Sequence, residues 1–435
     1  MERFALSRMK EWKENENRKP LIIRGARQVG KTWIMKTFGQ QYFEKTAYVN
    51  FDNNARMKQV FEGDLDIERL VLAISAETGV SIEAENTLII FDEIQEVPKA
   101  LTSLKYFHEN APQYAIVAAG SLLGVALHQG TSFPVGKVEF LDLYPLNFRE
   151  FLCAMGEKQF VSMLDSCDTQ MVTVFKTKYI ERLREYYFVG GMPEVVKDFS
   201  EKKDYNRVRA IQKNLINYYQ QDFSKHAEIK LVPRLNLVWN SIPMQLAKEN
   251  KKYIYGQVRE GSRAKDFELA IQWLLDCGLI HKVQRIQKPD LPLKAYIDFD
   301  AFKLFLVDIG LLIAMTDLDA KVIIEGNKIF TEFKGSLTEQ YILQQLISDV
   351  GVIPYYYSTQ NSKGEIDFLV QGKTSVIPIE VKAEENLKAK SLKAFCEKYQ
   401  PSYAVRTSMS DYREQDWMTN IPLYAIKWIE NYVNQ

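Results

Sequence analysis

Residues 25–32 form the stretch of this sequence whose side chains are best suited to chemistry. They are Gly25, Ala26, Arg27, Gln28, Val29, Gly30, Lys31 and Thr32, and they fit Gly-x-x-x-x-Gly-Lys-Thr at every fixed position. The glycines let the backbone curl, so that successive N–H groups point at one phosphate. Lys31 offers a charge to the outer phosphates of a nucleotide, and Thr32 offers a hydroxyl to Mg²⁺. The stretch therefore predicts a loop that binds ATP or GTP, with ATP expected and Mg²⁺ as its ion.

Two adjacent carboxylates form the second half of this predicted site. Residues 88–91 are apolar, and Asp92 and Glu93 follow them directly. Ligands of open parallel sheets bind at the carboxyl ends of the strands, so these side chains should lie near the phosphates. Asp92 is suited to hold Mg²⁺ directly or through water, and Glu93 is suited to be the general base that orients the attacking water. The alternative is a glycine turn that fits the pattern by chance, and the carboxylate pair argues against it.

The surrounding elements predict an α/β fold with a doubly wound parallel sheet. Short apolar stretches at 21–23, 47–51, 87–91 and 114–119 are predicted strands, and helical segments alternate with them. This alternation is typical of parallel strands joined by helices. The first predicted strand ends at the phosphate loop, and a helix is predicted from about residue 32. Strand, loop and helix in this order are the context that the motif requires.

The middle of the chain changes to long helical stretches from about residue 150. Residues 238–300 are compatible with a winged helix, with a helix at 261–275 and a wing of strands at 279–286 and 293–297. A cluster of six basic residues at 248–265 could neutralise phosphates of DNA: Lys248, Lys251, Lys252, Arg259, Arg263 and Lys265. Ordinary solvated lysines on a helical subdomain remain the alternative, because the charge excess is small.

A second group of carboxylates lies near the C-terminus, beside a lysine. Glu339 is on a predicted helix, Asp367 on a predicted strand, and Glu380 and Lys382 on the next strand. Residues two apart in a strand face the same side, so Glu380 and Lys382 project together and a neighbouring strand can bring Asp367 beside them. Converging carboxylates, Asp367 and Glu380 above all, would hold Mg²⁺, and a lysine there could activate water. Charged residues on the solvent face of an amphipathic sheet are the alternative.

Two resemblances follow from these motifs. The phosphate loop, the Asp92–Glu93 pair and Gly120-Ser121 resemble an AAA-type ATPase of the P-loop NTPase class, which implies that Ser121 senses the γ-phosphate; a helix N-cap is its alternative role. Segments 143–152, 190–194, 302–304 and 308–312 are similar to bacterial and archaeal predicted ATPases with a C-terminal domain of unknown function. Gly136-Lys137 stands where that group often has Gly-Arg, which leaves any arginine finger open among Arg149, Arg182 and Arg184.

The C-terminal carboxylates and lysine resemble the PD-(D/E)xK nuclease superfamily, which implies a candidate nuclease site at Glu339, Asp367, Glu380 and Lys382. The residue patterns and the resemblances together give four expected domains: an AAA-type core at 1–155, a helical connector at 156–229, a winged-helix-like domain at 230–328 and a nuclease-like α/β domain at 329–435. A fold of this class does not by itself imply cleavage.

Composition narrows the class of protein. Lys plus Arg and Asp plus Glu number 56 each, so the chain is not globally basic. The four cysteines form no CxxC pair, which argues against a zinc site and a disulfide framework. No signal peptide or membrane span is predicted, so a cytoplasmic location without membrane contact is expected.

Three functions remain open from the sequence. The first is a Mg²⁺-dependent ATPase coupled to a nuclease-like C-terminal half that binds DNA. The second is a signalling or regulatory switch ATPase whose C-terminal half binds a protein partner and cuts nothing. The third is a scaffold that binds ATP without turnover. A homo-oligomer is compatible with each of them.

Overall fold

The computed structural model describes residues 2–120, 133–248, 252–324, 331–359, 364–384 and 389–435. The chain divides into two units. The first unit comprises residues 2–144 with 276–279, and the second comprises residues 145–275 with 280–435. Each unit contains its own sheet. The four domain boundaries expected from the sequence stay predictions.

The first unit is a parallel sheet with helices between its strands. Its elements are α1 (Ala5–Glu14), β1 (Leu21–Arg24), α2 (Lys31–Tyr42), β2 (Lys45–Asn50), α3 (Ala55–Glu62), α4 (Ile67–Thr78), β3 (Thr87–Asp92), α5 (Pro98–Asn110), β4 (Ala115–Ala119) and β5 (Glu139–Asp142). The strand order is β2-β3-β4-β1-β5, and every pairing is parallel. The four strands and the parallel α/β sheet predicted from the sequence are confirmed. Strand β5 escaped prediction because its four residues include two carboxylates and form no apolar run.

The core of the first unit fixes the ends of the strands that carry the predicted site. Strands β3 and β4 are buried along their whole length, as expected for central strands covered on both faces. Beyond β2, the ring of Phe51 meets those of Phe61 and Phe91 edge-on, with centroids 5.4 Å away in both cases. Phe91 immediately precedes Asp92, so this cluster anchors the carboxylates to the core.

The second unit begins with helices and ends with a mixed sheet. Its helices are α6 (Phe148–Ala154), α7 (Lys158–Asp165), α8 (Thr169–Val174), α9 (Lys176–Val189), α10 (Pro193–Lys202), α11 (Tyr205–His226), α12 (Val232–Leu246), α13 (Tyr255–Val258), α14 (Ala264–Asp276), α15 (Ile309–Met315), α16 (Ala320–Ile324), α17 (Thr331–Gln345), α18 (Lys390–Tyr399) and α19 (Glu430–Val433). Within the described ranges, no helix combines the length and the apolar character that crossing a bilayer requires.

Eight strands make up the second sheet. They are β6 (Ile280–Ile286), β7 (Ile297–Leu306), β8 (Tyr355–Ser358), β9 (Glu365–Gln371), β10 (Val376–Val381), β11 (Val405–Ser408), β12 (Arg413–Gln415) and β13 (Met418–Pro422), in the order β12-β13-β11-β10-β9-β8-β6-β7. The sequence placed the second wing strand at 293–297, but Leu293–Tyr296 is a 3₁₀ turn and β7 begins at Ile297. Strand β6 also pairs in parallel with β8, so the β6–β7 hairpin is part of the larger sheet. The winged helix stays a prediction.

A buried aspartate explains two motifs that the sequence alone left without a role. Asp308 caps α15 by accepting from the Leu311 N–H at 3.0 Å, and it accepts from the Gly191 N–H at 2.6 Å. A Cβ on Gly190 would lie 2.2 Å from the Asp308 carboxylate, so that position needs glycine. Burial raises the pKa of Asp308 to about 6. Asp308 therefore links the segment at Gly190 and Gly191 to the N-terminus of α15 within the second unit.

Candidate nucleotide-binding site

The loop between β1 and α2 has the backbone of a phosphate cradle. Gly25, Gln28 and Gly30 have positive φ angles of 144°, 64° and 95°, and α2 begins at Lys31. Positive φ angles at intervals along the loop let consecutive N–H groups face a common point, which forms an anion-binding concavity. The N-terminus of α2 adds the positive end of its helix dipole.

Lys31 lies within this loop as a buried cation. Its Nζ donates to the carbonyl oxygens of Gly25 and Ala26, each at 2.8 Å. Burial lowers the pKa of Lys31 to about 8, although the charges of Glu93 and Asp92 act in the opposite direction. Desolvating an ammonium is costly unless an opposite charge compensates. A phosphate group fits this position, because it would provide the full negative charge that the two carbonyls lack.

Thr32 and Asp92 meet where the loop and the end of β3 come together. The Thr32 hydroxyl donates to Asp92 Oδ2 at 2.7 Å, and the Tyr48 hydroxyl donates to the same oxygen at 2.9 Å. Burial, reinforced by the charge of Asp92, raises the pKa of Tyr48 well above its usual value, so the phenol stays a donor. Clustered oxygen atoms are the ligands that Mg²⁺ prefers. Thr32 and Asp92 therefore fit the metal role predicted from the sequence.

Glu93 lies beside this cluster in an unusual backbone conformation. Its φ and ψ angles are 51° and 45°, in the left-handed region that side chains with a Cβ rarely adopt. Gln95 donates from Nε2 to Glu93 Oε2 at 2.7 Å. Buried Ile94 anchors the short 3₁₀ turn that carries both residues. This geometry sets the direction of the predicted general base.

Residues next to the phosphate loop form hydrogen bonds with the edge strand β5 and with the chain that follows it. Arg24 forms two hydrogen bonds to the Asp142 carboxylate at 2.9 and 3.0 Å. Arg3 donates to the Val29 carbonyl at 3.0 Å and to the Tyr144 carbonyl at 2.6 Å. The sequence did not indicate these contacts, because they depend on how β5 and α1 pack.

Replacing Gly25 by Ala is expected to destabilise the protein and abolish nucleotide binding. A Cβ at this position would lie 2.1 Å from the Leu143 carbonyl oxygen, on a residue whose φ is +144°. The matched control is Gly79→Ala, since Gly79 has φ +69° but no atom within 4 Å of the point where a Cβ would lie. We expect about 1 kcal/mol of lost stability for the control and more than about 2 kcal/mol for Gly25→Ala. Denaturant unfolding and ATP titration measure both effects, and equal losses in the two variants would contradict the steric explanation.

Several residues considered from the sequence have other partners or lie outside the described part. Ser121, the predicted sensor, lies outside the described residues. Lys137 pairs with Glu109 at 2.9 Å. In the second unit, Arg149 pairs with Asp165 and Asp349, Arg182 with Glu157 and Glu185, and Arg184 donates to the Ile324 carbonyl. Each of the three arginines therefore has a structural role within its own unit.

Asp367 and Glu380 of the predicted nuclease site lie on the neighbouring strands β9 and β10, whereas Lys382, predicted on the same strand as Glu380, lies just after β10 ends at Val381. The pairing of β9 with β10 ends with Phe368 opposite Ile379, and Asp367 and Glu380 are the residues that follow this pair on the two strands. Asp367 accepts from the Val381 N–H at 2.7 Å. Lys382 Nζ lies 2.6 Å from Glu380 Oε1. No group of three or more His, Cys, Asp or Glu side chains within the described ranges is arranged to hold a metal ion.

A buried lysine that sequence reasoning missed stands beside these carboxylates. Lys303 on β7 is completely buried, contacts Glu365, and lies 3.7 Å from Glu339. Burial lowers the pKa of Lys303, but the charges of Glu339, Glu365 and Asp367 outweigh it and raise the pKa above its usual value. Lys303 stands within the otherwise apolar run 301–306. A lysine in such a run was the sequence signal that could have indicated a buried ion pair.

Family models match three parts of the chain. Residues 17–152 match the model described as an AAA domain. Residues 17–152, called the AAA domain below, are therefore similar to AAA domains, and their parallel α/β sheet fits the P-loop NTPase fold. Two further models match later parts of the chain, both described as domains of unknown function: DUF8612 at residues 180–322 and DUF4143 at residues 334–426. The phosphate loop and the carboxylate pair both lie inside the AAA domain.

Solved structures show distant likeness. The Walker-type ATPase paby2304 of Pyrococcus abyssi is 15% identical with a TM-score of 0.44, and the match covers 72% of this chain and 95% of that one. The Aeropyrum pernix Orc1 protein in complex with DNA is 13% identical with a TM-score of 0.27, covering 72% and 91%. Drosophila ORC bound to DNA is 12% identical with a TM-score of 0.26, covering 69% and 90%. No curated protein matches the chain.

Proposed function

We propose that the AAA domain binds Mg²⁺ and ATP at residues 25–32 and hydrolyses the nucleotide. The observation that carries this proposal is the 2.7 Å hydrogen bond between Thr32 and Asp92. It joins the phosphate loop to the end of β3, with buried Lys31 on one side and Glu93 on the other. Phosphate binding and water activation are thereby brought to the same edge of the sheet.

Each residue has a distinct part in the proposed reaction. The backbone N–H groups of the loop bind phosphate oxygens, and Lys31 exchanges its two carbonyl partners for phosphate. Thr32 and Asp92 would hold Mg²⁺, which when bound neutralises charge on the outer phosphates. Glu93 accepts a proton from the attacking water.

Phosphate release measured with and without Lys31 tests this proposal. We expect Lys31→Ala to lower kcat/KM by about a hundredfold or more, because it removes a charge aimed at the site of developing negative charge. Lys58→Ala is the matched control, since Lys58 is exposed on α3 of the same unit. EDTA should abolish turnover by the wild-type protein. Equal rates in wild type and Lys31→Ala would contradict the proposal, and binding without turnover would favour the scaffold.

For the second unit, a nuclease coupled to the ATPase is the candidate function that a specific observation favours. Asp367 lies on β9 and Glu380 on the neighbouring strand β10. Lys382 follows the end of β10, and its Nζ lies 2.6 Å from Glu380 Oε1. A metal held by Asp367 and Glu380 would supply the charge that phosphodiester cleavage needs. DNA is the proposed substrate.

Incubation of labelled DNA with Mg²⁺ and ATP distinguishes a nuclease from a regulatory switch. We compare wild type with a double variant, Asp367→Ala/Lys382→Ala. Cleavage by wild type alone supports the nuclease. Equal or absent cleavage would instead favour the switch, in which the second unit binds a protein partner. The exposed face of α14 carries Glu268 and Leu269 beside Lys265, so binding of DNA through this helix needs its own test with Lys265→Glu.

A further inference from the structure

Gln95 lies two residues after the proposed general base Glu93, and its side-chain amide contacts the Glu93 carboxylate. Its Nε2 donates to Glu93 Oε2 at 2.7 Å, and a longer contact of 3.4 Å leads to Glu96 Oε1. The other end of the same amide, Oε1, is buried and has no hydrogen-bond partner among the residues that the structure describes. The amide is thus turned so that its donors face carboxylates while its acceptor goes unsatisfied.

An unsatisfied buried carbonyl is unfavourable, and such groups in folded proteins call for an explanation. Here a second unfavourable feature lies two residues away, since Glu93 has a left-handed backbone with φ 51°. Unfavourable features of this kind concentrate at functional sites, where the surrounding structure holds them in place. Buried Ile94, between the two residues, provides that anchor.

We propose that Gln95 is the positioning residue for Glu93 in ATP hydrolysis. This inference rests on the proposed function of the AAA domain. The amide N–H fixes the Glu93 carboxylate so that the proton of the attacking water has an acceptor in a defined direction. Gln95 acts through Glu93 and has no part in holding the phosphates, which belong to the loop at 25–32.

Fixing a reacting group matters because rate falls steeply when its geometry loosens. A displacement of about 1 Å can lower a rate by about a hundredfold. Binding of ATP, in contrast, depends on Lys31 and the loop N–H groups, which Gln95 does not contact in the described residues. The proposal therefore separates kcat from nucleotide affinity.

Gln95→Met tests the proposal, because methionine keeps the length of the side chain and loses the amide. We expect kcat to fall about ten- to a hundredfold, with the Kd and KM for ATP within twofold of wild type. The melting temperature should be equal or higher, since the unsatisfied carbonyl is gone. Gln59→Met, on the exposed face of α3, is the matched control, and Glu96→Gln tests whether the longer contact contributes.

A double-mutant cycle with Glu93→Gln identifies the route of the effect. If Gln95 acts through Glu93, adding Gln95→Met to Glu93→Gln should change the single-turnover rate by less than twofold. The reason is that Glu93→Gln has already removed the carboxylate that Gln95 orients. An unchanged kcat in Gln95→Met would overturn the inference. It would also be overturned if Gln95→Met lowered the hydrolysis rate by the same factor in wild type and in Glu93→Gln. The proposed function itself would then still stand if Lys31→Ala abolishes turnover. A wild type that hydrolyses no faster than Lys31→Ala would overturn both.

Discussion

We expect Glu93→Gln to lower kcat for ATP hydrolysis by about 10²- to 10⁴-fold, the range for loss of a general base. The amide keeps the size of the carboxylate but accepts no proton from water. Because the phosphate loop and Lys31 are untouched, the variant should bind ATP as tightly as wild type and retain it. Single-turnover hydrolysis of labelled ATP, together with nucleotide titration, measures the two quantities separately.

Glu68→Gln is the control for this change, since Glu68 is exposed in the first turn of α4. It should leave both kcat and affinity unchanged. Retention of wild-type turnover by Glu93→Gln would show that another group activates the water. A parallel loss of ATP affinity would show that Glu93 contributes to binding rather than to the chemical step.

Arg149→Ala has the largest expected effect on stability in the second unit. Arg149 binds the Asp349 carboxylate with Nη2 at 2.6 Å, and the Asp349 side chain is only 3% exposed. Truncating the arginine leaves a buried charge without its cation, which costs about 3–5 kcal/mol. Denaturant titration of the full chain measures the loss of unfolding free energy.

Arg207→Ala is the control, because it shows the loss of stability when an exposed, ion-paired arginine is removed. Arg207 is half exposed and pairs with Asp198, which Lys202 also contacts at 2.8 Å. We therefore expect less than about 1 kcal/mol for the control. A similarly small loss for Arg149→Ala would mean that Asp349 finds another partner or water.

The loop at residues 25–32 and the strand before Asp92 were predictable because their sequence signals are local. A glycine pattern, a lysine and a threonine within eight residues fix the loop, and an apolar run before Asp92 fixes the strand. The contacts that tune the site were not predictable. Tyr48 reaches Asp92 because β2 and β3 pair in the register that places Asn50 beside Asp92, and a sequence does not disclose that register.

The second unit shows the same limit more strongly. The predicted strands containing Asp367 and Glu380 exist, and their pairing follows from a short connection between them. Lys303 comes from β7, far earlier in the chain, and its contact with Glu339 depends on where α17 packs. The second wing strand begins four residues later than predicted, because Leu293–Tyr296 forms a 3₁₀ turn. The pattern of apolar residues in such a short segment does not distinguish a turn from a strand.

Calorimetric titration of the protein with ATP in the presence of Mg²⁺ tests the central claim most directly. Wild type should bind one ATP per chain, and Lys31→Ala should bind at least about a hundredfold more weakly, while Lys58→Ala matches wild type. Binding of ATP by Lys31→Ala with wild-type affinity, or no binding by wild type, would contradict the assignment of residues 25–32 as the nucleotide site.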